Sequence, residues 1–104
     1  YFYGASGPVY RNPAKGFESF FVRFDGVVAL ELMRRTDIRD SDEGEHTGFC
    51  HVAFGVGSRE AVCSLTERLR RDGYRIAGEP RQTGDGYFES VVCDPDGNRI
   101  EIVA

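Results

Sequence analysis

Asp94-Pro95-Asp96-Gly97-Asn98-Arg99-Ile100-Glu101-Ile102-Val103 reads as a tight turn followed by a short strand. Pro and Gly stand where a type I turn wants them. Glu101 sits between two branched apolar residues, so Ile100 and Ile102 address a core while the acid addresses the opposite face. The arrangement has a partner earlier in the chain. Asp25-Gly26 precedes Asp96-Gly97 by 71 positions, and Leu30-Glu31-Leu32 precedes Ile100-Glu101-Ile102 by 70. Phe17-Glu18-Ser19 likewise recurs as Phe88-Glu89-Ser90, 71 positions on. The chain is therefore a duplication of one structural unit, and two acids at matching places of a pseudo-symmetric fold are able to converge on one site.

The second copy opens at Phe49-Cys50-His51-Val52-Ala53-Phe54-Gly55-Val56, a strand by its length, its Val and Phe content and its flanking Gly48 and Gly57. A helix over 59–72 follows, with Ser58 as N-cap, Glu60 in the first turn and Gly73 just past its end. Ala61, Val62, Leu65 and Leu69 form its buried stripe. Tyr74-Arg75-Ile76 reads as a short strand and 81–85 as a loop, before a hairpin of strands 87–93 and 99–103. In the first copy, strands 17–24 and 27–33 surround the turn at Asp25-Gly26. The counterpart of Gly73 is Gly4, which makes Tyr1-Phe2-Tyr3 the expected last residues of a matching helix. The counterpart of His51 falls roughly twenty residues before Tyr1, so the first copy is expected to begin upstream.

The expected architecture is α+β, with paired βαβββ modules forming a cupped mixed sheet in one domain over 1–104. Residues 1–36 are the remainder of the first module, 37–47 a linker and 48–104 the second module. The linker is polar and Gly-punctuated, with Asp40, Asp42, Glu43, Glu45 and His46 around Gly44. Half a repeat cannot bury its own sheet, so this stretch is not read as a domain boundary.

Composition narrows the function. A net charge of −4 argues against general affinity for nucleic acid or anionic membranes, which needs basic patches. No apolar run reaches a transmembrane length. Three cysteines, an odd number, suggest reduced thiols and a cytoplasmic setting. Cys50 points away from His51 by strand alternation and reads as core filler rather than a nucleophile. The twelve Arg and one Lys are taken as genome composition before function.

Glu31, His51 and Glu101 stand out as ionisable residues among apolar strand neighbours. Any one of them reads well as a solvent-facing position on a half-exposed sheet. The three together read differently, because the residues beside them on the same strand face are mostly apolar: Ala29 and Met33, Ala53, and Val103. An acid in that setting needs a hydrogen-bond partner, a counter-charge or a metal. Imidazole with carboxylates suits a divalent Mn, Fe, Co, Ni or Zn ion, and the lack of thiolate argues against a structural zinc.

A strand-helix-three-strand module whose second copy opens with "HVAF" and closes with "DPDGNRIEIV" resembles the vicinal oxygen chelate superfamily, which includes glyoxalase I, fosfomycin-resistance enzymes, extradiol dioxygenases and bleomycin-binding proteins. The likeness runs from "YFYGA" through "GFESFFVRF" to the last strand, and its closing motif is specific for the superfamily rather than for one reaction. The resemblance implies a metal held on the concave face by the first and last strand of each copy. Glu31 is then the last-strand ligand of copy one, and His51 and Glu101 the first- and last-strand ligands of copy two. The fourth ligand belongs to the first strand of copy one.

Retention of three such residues points to a metalloenzyme rather than a bleomycin-binding protein, whose relatives have generally lost them. Two glutamates on a short chain look more like glyoxalase I than like an iron dioxygenase. The implied reaction is a lyase or isomerase step through a metal-stabilised enediolate of a small substrate with vicinal oxygens, such as a thiol adduct, with Glu101 as base. The resemblance also implies a homodimer. The alternatives are a non-catalytic drug-binding protein and a thiol transferase or dioxygenase of the same superfamily. Arg34, Arg81 and Tyr87 are candidates for substrate contact. His46 in the linker and the Arg34-Arg35 pair read more simply as solvated surface.

Overall fold

The computed structural model describes residues 1–25, 28–39 and 47–104. Gly26 of the first expected turn, and Asp40, Asp42, Glu43, Gly44, Glu45 and His46 of the expected linker, lie outside the described residues. The chain falls into two compact units, residues 1–42 and 43–104.

In the first unit β1 (Ala5–Ser6) and β2 (Tyr10–Asn12) pair in turn with one edge of β3 (Phe17–Arg23), and β4 (Ala29–Arg35) pairs with its other edge, all antiparallel. Between β1 and β2, the Gly7 amide donates to the Phe21 carbonyl at 2.8 Å and keeps the ladder running past Pro8. The Arg34-Arg35 pair belongs to β4 rather than lying beyond it, because pairing continues to Phe17↔Arg35. No helix ends at Tyr1-Phe2-Tyr3. The left-handed residue near that place is Tyr3, at φ +54°, not Gly4.

The second unit is the complete strand-helix-three-strand module. It consists of β5 (His51–Gly55), α1 (Arg59–Arg71), β6 (Ile76–Gln82), β7 (Phe88–Cys93) and β8 (Arg99–Val103), with the sheet ordered β5-β8-β7-β6. β5 lies parallel to β8, and the other pairs are antiparallel. β6 runs six residues beyond the expected strand end at Ile76 and takes in Gly78 and Pro80. It is an edge strand with register shifts around Gly78, where proline and glycine are tolerated. The β7–β8 turn is tied by the Asp94 carboxylate, which accepts from the amides of Asp96 at 3.0 Å and Asn98 at 2.7 Å, while Gly97 takes φ +87°.

Both ends of α1 follow from local chemistry. Ser58 Oγ accepts from the Ala61 amide at 3.1 Å. At the other end Gly73, at φ +91°, lets its own amide reach the Arg70 carbonyl and that of Tyr74 reach Leu69. Ser58→Ala is expected to cost about 1 kcal/mol in chemical denaturation while Ser58→Asp keeps most of the stability. Equal midpoints for Ser58→Ala and wild type would show that the cap contributes nothing.

α1 packs over β6, β7 and β8. Val62 and Leu69 are buried as expected, as are Val92, Cys93 and Ile102 of the sheet. Ala61 and Leu65 are only half-buried. The residue absent from the expected stripe is Thr66, fully buried, whose hydroxyl donates to the Val62 carbonyl at 2.6 Å and meets Ser90 Oγ at 2.7 Å. A polar residue is hidden at no penalty when both hydroxyls are satisfied.

Strand pairing revises the internal repeat. Phe21 faces Glu31 and Val91 faces Glu101; Ser6 faces Val22 and Ile76 faces Val92; each equivalence is 70 positions apart. The match at 71, Phe17-Glu18-Ser19 with Phe88-Glu89-Ser90, is one residue out of step with the backbone. One residue reverses a strand's faces. Glu89 therefore shares a face with Glu101, whereas Glu18 lies on the face opposite Glu31. Glu31 and Glu101 are the structurally equivalent pair.

Candidate metal centre

The two faces of the second sheet differ sharply. Ser90, Val92, Ile100 and Ile102 lie on the face covered by α1, as the Thr66–Ser90 contact requires. Alternation then puts Glu89, Val91, Glu101 and Val103 on the other face, joined in register by His51 and Ala53 of β5.

On this helix-free face the sheet brings His51 and Glu101 together. β5 runs parallel to β8 with Ala53 opposite Glu101 and His51 opposite Arg99, so the imidazole reaches along the strand to the carboxylate. His51 Nε2 and Glu101 Oε2 stand 3.2 Å apart, with the two side chains 39% and 17% exposed. Two donors bonded to one ion at about 2.0–2.2 Å each, at angles between octahedral and tetrahedral, lie about 2.8–3.6 Å apart. The observed separation and the N/O donor types are compatible with two ligands of a divalent first-row ion.

Glu31 belongs to the first unit. It occupies the third position of β4, as Glu101 does of β8, and shares its face with Phe21, Ala29 and Met33. Phe21 is capped by the Arg23 guanidinium, 5.6 Å from the ring centroid. Farther along this face Lys15, Phe17, Met33 and Arg35 line a shallow groove of about 500 Å³. Arg35 is held there by Asp37, which it holds in turn below the usual carboxylate range through their paired hydrogen bonds. Arg34 points to the opposite face, in register with Glu18. Of the two arginines it is Arg35, passed over in the sequence reading, that accompanies Glu31. Among the described residues, no three His, Cys, Asp or Glu side chains gather where they could hold one metal ion.

Arg81 lies on the same face as His51 and Glu101, paired across β6–β7 with Glu89, and its Nη2 donates to Glu89 Oε1 at 3.2 Å. Glu89 itself was read only as part of a repeat. Its strand neighbours gave no sign that its side chain would be 88% covered. Tyr87, just before β7, is exposed, and its carbonyl accepts from the Thr83 amide and hydroxyl in the β6–β7 turn. Cys50 is exposed rather than core filler, because β5 is an edge strand that begins only at His51. The thiols of Cys50, Cys63 and Cys93 are free. Among the described residues no helix is long and apolar enough to cross a membrane.

Comparison with known proteins shows the family and the fold. Residues 7–102 match the profile described as "Glyoxalase/Bleomycin resistance protein/Dioxygenase superfamily". The chain is 37% identical over 60 residues to an uncharacterized protein, YqjT, of Bacillus subtilis (strain 168), a match over 55% of this chain and 47% of that protein. Among solved structures, a glyoxalase I variant from Zea mays superposes with a TM-score of 0.77 at 25% identity, over 96% of this chain and 35% of that one. A putative glyoxalase from Bacillus halodurans gives 0.62 at 28% identity, over 93% and 74%. A glyoxalase family protein from Enterococcus faecalis gives 0.77 at 21% identity, over 98% and 79%, a likeness of fold. The chain thus spans about half of the Bacillus subtilis protein and about a third of the maize enzyme.

Proposed function

This chain belongs to the glyoxalase/bleomycin resistance protein/dioxygenase superfamily, and we propose that it acts as a divalent-metal-dependent lyase or isomerase of the glyoxalase I type on a small substrate with two adjacent oxygens. The observation that carries the reading is the His51–Glu101 pair, 3.2 Å apart on the helix-free face. His51, Glu101 and Glu31 would hold the ion. When bound, the ion supplies Lewis-acid polarisation of the two substrate oxygens.

The chain's own residues supply the rest. Glu101 takes the proton from the carbon beside the carbonyl and returns it to the neighbouring carbon, which requires a carboxylate able to turn from the ion to the substrate. Its position between Val91 and Ala53, only 17% exposed, limits competing water. His51 would serve only to hold the ion, through an imidazole nitrogen. The substrate is a small molecule, a thiol adduct being the form that glyoxalase I-like chemistry favours. A homodimer and a cytoplasmic setting accompany this reading as expectations.

Elemental analysis of full-length protein purified without chelator is expected to find roughly one first-row divalent ion per chain. His51→Ala is expected to weaken metal binding by about 10- to 100-fold or more, since loss of even an outer partner of a metal ligand costs that much. Metal-free protein that binds no divalent ion on titration, yet captures an aromatic drug such as bleomycin, would replace this reading with that of a sequestering protein.

A further inference from the structure

The Arg81–Glu89 pair is built differently from the other arginine–carboxylate pairs among the described residues. Arg11–Glu18, Arg35–Asp37 and Arg70–Glu79 join side chains that are all at least 40% exposed, the geometry of solvated pairs worth little. Glu89 is only 12% exposed, while Arg81 remains 49% exposed. A covered carboxylate therefore holds a guanidinium that is itself accessible.

The seat of Arg81 is carved by a glycine. A Cβ at Gly78 would lie 3.0 Å from Arg81 Nη1 and 3.2 Å from Val91 Cγ2, so the guanidinium rests close against the bare backbone there and would have to give by a few tenths of an ångström to admit a side chain. Gly78 pairs with Val91, Val91 with Glu101, and Glu101 with Ala53, which makes one row straight across the sheet. The guanidinium thus lies over the start of the row that passes through the candidate metal ligand Glu101. Two strand spacings of about 4.8 Å put Gly78 about 10 Å from Glu101 along the backbone. Only the Nη2 side of Arg81 is taken by Glu89, which leaves donors of a planar fork suited to a carboxylate.

We infer that Arg81 binds a carboxylate carried by the substrate a few bonds from its vicinal oxygens, and that Glu89 is the positioning residue that holds Arg81 over Gly78. The inference rests on the proposed metal site and names the class of substrate that site takes: a small molecule with a chelating end and an anionic end.

The test uses full-length protein loaded with Co²⁺ and two hydroxamates of equal length, whose heads chelate through adjacent oxygens: butyrohydroxamate, with a methyl tail, and the monohydroxamate of succinic acid, with a carboxylate tail. Binding is followed by the Co²⁺ absorption bands. Wild type is expected to prefer the carboxylate-tailed probe by about tenfold, the worth of one charge-assisted contact. Arg81→Gln should bring the ratio near one without changing Co²⁺ affinity. Glu89→Gln should lower the ratio partway, again at unchanged Co²⁺ affinity, because the fork is retained but no longer held. A general loss of structure would instead weaken both probes and the ion together. A wild-type ratio near one, or an Arg81→Gln variant that keeps the wild-type ratio, overturns the inference and leaves the metal site standing. Protein that takes up no Co²⁺ overturns the metal site, and this inference with it.

Discussion

Glu101→Gln is expected to remove about 10²- to 10⁴-fold of kcat while leaving the fold intact and metal binding weakened but present, because a general base contributes on that scale. The amide oxygen still coordinates an ion, but neither end of the amide accepts a proton as the carboxylate does. Glu31→Gln is expected to behave differently, with metal affinity and turnover falling together, since that residue is assigned only to holding the ion. The comparison belongs at saturating metal, on full-length protein, with the thiol hemithioacetal of an α-ketoaldehyde and with thiol-transfer substrates. Equal residual turnover in the two variants would remove Glu101 as the base. Wild-type protein that turns over none of these substrates would shift the balance toward a binding protein.

The second large effect lies on the opposite face of the same strand. Ile102 is fully buried, opposite Ser90 on the face covered by α1. Ile102→Ala is expected to cost about 2–5 kcal/mol through lost transfer energy and the cavity left behind. Against the roughly 5–15 kcal/mol that stabilises a typical domain, that is a large share. The melting temperature should fall by at least about 10 °C. Val28→Ala, at a position 61% exposed, should stay within about 0.5 kcal/mol of wild type. Similar losses for both would mean that the α1–sheet interface is not the unit's core. Adjacent positions 101 and 102 are thus expected to separate cleanly, one changing turnover and the other stability.

That separation was legible beforehand. Ile100-Glu101-Ile102 alternates with period two, and alternation alone assigns the acid and its neighbours to opposite faces. The cap at Ser58, the stop at Gly73 and the turn at Asp94-Pro95-Asp96-Gly97 were legible for the same reason, since each depends on contacts within a few residues. β6 was misread because Gly78 and Pro80 break an interior strand but not an edge one, and nothing local says which strand will be the edge. Thr66 was missed because its partner, Ser90, is 24 positions away.

By itself, then, the sequence determined what neighbours along the chain decide: strand alternation, helix ends, turn chemistry, the duplication, and the candidacy of Glu31, His51 and Glu101. What only the tertiary structure decided is what pairing decides. The parallel register of β5 on β8 brings His51 to Glu101, and the offset of 70 rather than 71 puts Glu89 on the side of Glu101 and Glu18 on the side away from Glu31. The physical reason is that a strand has only two faces, so a slip of one residue, invisible to sequence similarity, exchanges every side chain between core and site.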